Sequence, residues 1–224
     1  QFMPEAVRTL LPDTISGRLF VTGFGKASAA MAQALEAEMP DELAQKIYGR
    51  IIVPDGHEET LSRLEIMQTS HPVPDARSAA AASYVLKEAG RLAEGDVMLV
   101  LISGGGSSLM CLPRAPLTLS EKQDVTQQLL KKGAPIGAMN CLRKHLSSVK
   151  GGQLAVAAYP ARTISFAISD VPGDDASVIA SGPTVADETS RHDALGVIER
   201  YGLDVPPAVL DLLGSSACET PFSG

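Results

Sequence analysis

The feature that most constrains this chain is the run Met98-Leu99-Val100-Leu101-Ile102, which stops at Ser103-Gly104-Gly105-Gly106-Ser107-Ser108. A short apolar run bounded by polar and glycine residues predicts a strand buried on both faces, the kind found inside a parallel sheet. Glycines lack Cβ, so the turn can take positive φ and let a ligand approach the backbone. The N–H groups and the Ser103, Ser107 and Ser108 hydroxyls are expected to point donors into one small volume. Phosphate is held in this way, and in open α/β sheets the ligand crevice lies just past the carboxyl ends of the strands. The plain alternative is a tight strand-to-helix turn with no ligand.

The rest of the chain repeats the alternation of strand, glycine turn and helix. The expected fold is therefore α/β, a Rossmann-like three-layer α/β/α arrangement with a mostly parallel sheet. With 224 residues, 45% of them hydrophobic and 20% charged, the chain can bury a sizeable core, and a disordered chain is excluded. No stretch approaches about 18 uninterrupted apolar residues, and no basic-then-apolar leader opens the chain. The expectation is a soluble, cytoplasmic protein without a membrane partner. A net charge of −7 argues against nucleic acid as the main partner. Cys111, Cys141 and Cys218 are odd in number and far apart, which fits buried fillers better than disulfides or a zinc site. Gln1 at the start, Met3 inside and the turn-like Pro221-Phe222-Ser223-Gly224 at the end suggest a fragment, with 1–224 forming one α/β domain.

Near the start, Leu19-Phe20-Val21 predicts a strand, Gly23-Phe24-Gly25-Lys26-Ala27-Ser28 a turn, and the stretch to Met39 a helix. Lys26 then falls in the first helical turn, where a cation is unfavourable unless an anion sits beside it. A solvated lysine is the alternative. The segment is not a Walker A loop, and it misses the dinucleotide fingerprint because Ser28 stands where the third glycine belongs. Asp55 could imitate the ribose-binding acid but comes late. In Ser70-His71-Pro72-Val73-Pro74-Asp75 the two prolines force an extended path, so a stiff loop presents His71; Asp75 caps the helix that follows.

Thr118-Leu119-Ser120-Glu121 has capping-box spacing, and Pro135 opens a further helix. On that helix Asn140, Arg143 and Lys144 share one face, Leu142, Leu146 and Val149 another, and Lys150-Gly151-Gly152 follows. A solvated charged face is the ordinary reading. In an acidic chain these cations with Asn140 also make an oxyanion clamp, with arginine supplying bidentate geometry. After the strand Thr163–Ile168, Asp170, Asp174 and Asp175 lie where phosphoryl-transfer sites hold Mg²⁺, although turn chemistry also favours Asp there. Ser181-Gly182-Pro183-Thr184 is one more small-residue loop that could face the same crevice.

Taken in order, these motifs resemble the N-terminal domain of the class II, MOFRL-type glycerate kinases, a family also labelled hydroxypyruvate reductase. The resemblance spans about residues 20 to 185. It implies ATP-dependent phosphorylation of D-glycerate to 2-phosphoglycerate, with ATP and Mg²⁺ as cofactors and a second, C-terminal domain beyond this chain. On that reading Gly25, Ser103, Gly104, Gly105, Gly106, Ser107, Ser108 and Gly182 hold the nucleotide. His71, Asn140, Lys144 and Lys150 bind the acid, and Lys26, Arg143, Asp170 and Asp174 are catalytic. Asp170, Asp174 and Asp175 are the metal candidates. Two rivals remain open: an NAD(P)H-dependent hydroxypyruvate reductase using Gly23 to Ser28 and Asp55, and a non-catalytic phosphosugar-binding module. Oligomeric state, a homodimer included, is left open by the residues.

Overall fold

A computed structural model describes residues 15–222. The termini of the expected 1–224 domain, residues 1–14 with Gln1 and Met3, and 223–224, lie outside the described residues. Five strands form one sheet: β1 (Leu19–Phe24), β2 (Ile47–Pro54), β3 (Glu65–Thr69), β4 (Val97–Ile102) and β5 (Arg162–Ala167). Their order is β3-β2-β1-β4-β5 and every pairing is parallel, with Leu19 beside Ile47 on one side and Val97 on the other. The expected mostly parallel sheet is thus present, and wholly parallel among the described residues.

Strand β4 is apolar throughout, and β1 nearly so, because both faces are covered. On one face Leu19, Val21, Ile51, Leu99 and Leu101 pack with Ala29, Ala32 and Leu35 of α1 (Ser28–Glu38), beside the short α2 (Asp41–Ala44). On the other, Phe20, Ile52, Met98 and Val100 pack with Ala81 and Val85 of α3 (Ala76–Ala89) and Leu154 of α7 (Gln153–Ala158). Asp75 caps α3 in a reciprocal box with Ser78.

After β4 comes the short α4 (Gly106–Leu109), then α5 (Leu119–Lys131) and α6 (Ile136–His145). Thr118 and Glu121 close the expected capping box at the start of α5. These two helices bury a third cluster with α8 (Arg191–Tyr201) and α9 (Pro207–Gly214), including Leu129, Leu142, Val197 and Val209. The expected amphipathic α6 is corrected here. Asn140, Lys144 and His145 are buried with Leu142, because neighbouring segments cover most of the helix from Met139 onward, leaving Ile136 and Gly137 exposed. All three cysteines are buried and unpaired.

Candidate active site

Strand order reverses between β1 and β4, since β1 leads outward to β2 on one side while β4 and β5 lie on the other. At such a switch point the loops leaving the two strands diverge and open a crevice. Here the two loops are Gly25-Lys26-Ala27 and Ser103-Gly104-Gly105, and they are stitched together. The Lys26 N–H donates to the Gly104 carbonyl at 2.9 Å. The Ala27 N–H donates to Ser103 Oγ at 3.0 Å, and Ser28 Oγ donates to the Leu101 carbonyl at 3.2 Å.

Two expectations change at this seam. Helix α1 begins at Ser28, so Lys26 precedes the helix instead of occupying its first turn. Its side chain is exposed beside the glycine turn, not set against the helix dipole. Ser103 is 2% exposed, with its hydroxyl turned to the β1 loop, so it secures the turn instead of facing a ligand. Gly25 is required there: at φ 142° a Cβ would sit 2.1 Å from Ser103 Oγ.

The turn itself brings three predicted side chains, those of His71, Lys26 and Asp170, to its backbone. Gly105, at φ 89°, precedes α4, and a Cβ on it would lie 2.8 Å from His71 Nε2 and 3.7 Å from Lys26 Cε. A Cβ on Gly104 would lie 2.5 Å from Asp170 Oδ2. The bare backbone of the turn thus faces an imidazole, an ammonium and a carboxylate. Burial, then the charge of Lys26, holds the His71 imidazole below its ordinary pKa and favours the neutral ring.

Beneath the turn lies a cavity of about 260 Å³, lined by Gly105, Ser107 and Ser108 on one side and by Lys122, Arg143 and Lys150 on another, with His71 and Val73 among the remaining walls. Lys150 is 2% exposed; its ammonium donates to the Ser107 carbonyl at 2.8 Å and the Ala180 carbonyl at 3.5 Å. Burial lowers its pKa to about 7. Lys122 donates to the carbonyls of Leu146 at 2.9 Å and Arg143 at 3.3 Å, and burial lowers it to about 8. Burial also lowers Arg143. Lys122 was not foreseen from the residues, since a single lysine on an amphipathic helix ordinarily reaches solvent. Its one signal is its place on the same helical row as buried Val125 and Leu129.

Ser107 Oγ is 3.0 Å from Ser181 Oγ, and Ser181 donates to Asn140 Oδ1 at 3.0 Å. Ser108 Oγ donates to the Gly105 carbonyl. The segment Ala180-Ser181-Gly182 runs through three left-handed residues, at φ 51°, 64° and 58°. Such backbone persists where surroundings over-determine it. Here the Gly151 N–H donates to the Ser181 carbonyl at 3.0 Å and the Gly152 N–H to the Gly182 carbonyl at 2.8 Å. Gly182 therefore shapes the wall behind Ser107 and does not line the cavity. Asn140 is 4% exposed, and among the described residues its Nδ2 has no hydrogen-bond partner.

Three further expectations are corrected. Lys144 does not line the cavity; its ammonium is buried in an ion pair with Asp187 at 3.0 Å, and Asp187 also accepts from Thr189 and Thr220. Asp170, Asp174 and Asp175 do not converge as metal ligands. Asp170 stands at Gly104, Asp174 forms a turn with Val171, and Asp175 accepts from the Ser177 N–H. Among the described residues no group of three or more His, Cys, Asp or Glu is gathered in the manner of a metal shell. Asp55, which a ribose-binding role would need, accepts from both terminal guanidinium nitrogens of Arg77 at 2.7 and 2.9 Å.

A parallel sheet with two glycine turns meeting at its switch point, a lysine over them and cations below, makes this an α/β domain with a cationic crevice at the sheet edge. The chain belongs to the family described as DUF4147, a domain of unknown function that forms the N-terminal domain of the glycerate kinase family; the match covers residues 3–214. It is 48% identical over 219 residues to a protein of Agrobacterium vitis that carries a provisional hydroxypyruvate reductase name, covering 98% of this chain and 49% of that protein. It is 39% identical over 209 residues to the D-glycerate 2-kinase of Thermotoga maritima, covering 93% of this chain and 49% of the relative. The crystal structure of glycerate kinase from Thermotoga maritima superposes with a TM-score of 0.88, covering 99% of this chain and 52% of that one. The chain therefore spans about half the length of these relatives. Among the described residues no helix is long and apolar enough to cross a membrane.

Proposed function

We propose that the chain serves the ATP-dependent phosphorylation of D-glycerate to 2-phosphoglycerate, with residues 1–224 as the N-terminal α/β domain of a two-domain enzyme. One observation carries the reading: Lys26 and the Gly104–Ser108 turn meet at the sheet's switch point, directly above a cavity whose polar floor is cationic. The kinship with the Thermotoga maritima D-glycerate 2-kinase supports the choice of acid and phosphoryl donor.

Phosphoryl transfer needs charge neutralised and the nucleophile held in line. In this reading the Gly104 and Gly105 backbone and Lys26 hold the nucleotide phosphates, while Gly25 and Ser103 keep the two loops in register. Arg143 and Lys150 hold the carboxylate of the acid and orient its hydroxyl toward the turn. Neutral His71, against Gly105, accepts the hydroxyl proton. Asp170 fits a Mg²⁺ role because it is the carboxylate at Gly104 and because Mg²⁺ is commonly held by one or two carboxylates plus phosphate oxygens. Mg²⁺, when bound, neutralises charge on the phosphate oxygens. A small acid and a nucleotide are the partners and the cytoplasm is the compartment, in keeping with a net charge of −7 and three unpaired cysteines.

The protein is tested with ATP, Mg²⁺ and D-glycerate by following ADP release and locating the new phosphate by phosphorus NMR. ADP release with phosphate on the 2-hydroxyl is the expected result. Oxidation of NADH by hydroxypyruvate without ADP release would replace the kinase reading with the reductase one.

A further inference from the structure

The cavity beneath the glycine turn holds more positive charge than one carboxylate can neutralise. Lys122, Arg143 and Lys150 all line it, from α5, from α6 and from the segment just after α6, and no Asp or Glu is among the lining residues. Among the described residues both ammonium groups bond only backbone carbonyls, and the Arg143 guanidinium has no carboxylate partner. Buried cations without anions are costly, and an anionic guest removes that cost. The hydroxyls of Ser107 and Ser108 and the Gln123 and Thr126 side chains add polar groups along the wall.

D-Glycerate brings a single carboxylate. The same acid once phosphorylated brings a carboxylate and a near-dianionic phosphate, which matches the three cations. We infer that this cavity is a subsite for a phosphorylated small hydroxy acid, gripped by Lys122, Arg143 and Lys150 together, so that the phosphorylated acid is held more tightly than the unphosphorylated one. The inference rests on the kinase reading for the identity of the acid, and it assigns Lys122 a direct binding contact. It makes release of the phosphorylated product slower than release of the acid.

The grip depends on protonation of the lysines. The groups facing them are Arg143, Arg114, Cys111 and His71, with Lys26 beyond His71 across Gly105; each lysine also faces the other, and none of these groups is a carboxylate. Near and above neutrality both lysines are partly deprotonated in the empty cavity, and an anion draws protons back onto them.

The test is calorimetry of the protein with 2-phosphoglycerate and with D-glycerate. The expected result is a preference of about tenfold or more for 2-phosphoglycerate at about pH 6.5, shrinking at about pH 9 as the lysines lose their protons. Parallel titrations at about pH 8 in two buffers of different ionisation heat should show net proton uptake with 2-phosphoglycerate. Lys122→Met should remove most of the preference; because that variant could fail to fold, the buffer pair on the unaltered protein stands as the independent measurement. Equal affinities for the two acids, or binding of 2-phosphoglycerate without proton uptake, would overturn the inference. A clear preference in a protein that releases no ADP with ATP and D-glycerate would leave the subsite standing and remove the kinase reading instead.

Discussion

The backbone N–H of Lys26 donates to the carbonyl of Gly104 at 2.9 Å, joining residues that lie far apart in the chain but leave adjacent parallel strands. This bond sets where the Lys26 ammonium can reach, because it holds the β1 loop against the glycine turn. The side chain itself is exposed, and among the described residues it makes no hydrogen bond or ion pair.

Lys26→Ala should therefore leave the melting temperature unchanged within experimental error. Turnover in the proposed reaction should fall by about a hundredfold, or about 2.7 kcal/mol of transition-state stabilisation. Steady-state kinetics with a parallel melting curve checks both. Near-normal turnover would remove Lys26 from the site.

Gly105→Ala acts on backbone and site together. At φ 89° the new Cβ is strained by about 1–2 kcal/mol, and it would stand 2.8 Å from His71 Nε2. The imidazole must move. A modest loss of stability, accompanied by a much larger loss of nucleotide-dependent activity, is expected from urea unfolding and kinetics on the same preparation.

Lys144 is a contrasting case, since its partner Asp187 is fully buried. Removing one member of a buried pair leaves the other charge uncompensated and costs about 3–5 kcal/mol. Lys144→Met should lower the unfolding midpoint strongly, while the folded fraction keeps its KM for the acid. A raised KM at unchanged stability would return Lys144 to the substrate site.

Stability should also depend on pH through the two buried lysines. Their folded pKa values, about 7 for Lys150 and about 8 for Lys122, lie below the ordinary 10.5. Between those values and 10.5 the unfolded chain binds more protons than the folded one, so stability rises with pH across that window. The burial penalty is complete below about pH 7 and disappears as pH approaches the unfolded lysine value. Urea unfolding from about pH 7 to pH 9 should show a gain on the order of a few kcal/mol. The gain should be smaller in Lys150→Met, and a flat profile would contradict the burial of both ammonium groups as charged species in the acidic range.

The sheet was legible because β1 and β4 are short, mostly apolar runs that end at glycine turns, because β2 ends at Pro54, and because Asp75 and the pair Thr118 and Glu121 sit at capping positions. Those signals are local. What stayed hidden depends on partners far along the chain: Lys144 is claimed by Asp187, 43 residues on, and Ser103 is turned inward by the β1 loop, 76 residues back. Lys122 became part of the cavity only because α5 packs on α6, whose end supplies the carbonyls it bonds. The acidic turn after β5 was over-read, since turn geometry satisfies Asp175 locally and leaves Asp170 alone at the glycines.

The central claim is that two loops at one sheet edge form a single phosphate cradle, and amide NMR of the isotopically labelled protein titrated with ATP tests it most directly. The account predicts saturable shifts of the Lys26, Gly104, Gly105 and Gly106 amides along one binding curve, weakened in Lys26→Ala. Saturable ATP binding that leaves those four amides unmoved, or no binding at all, would contradict it.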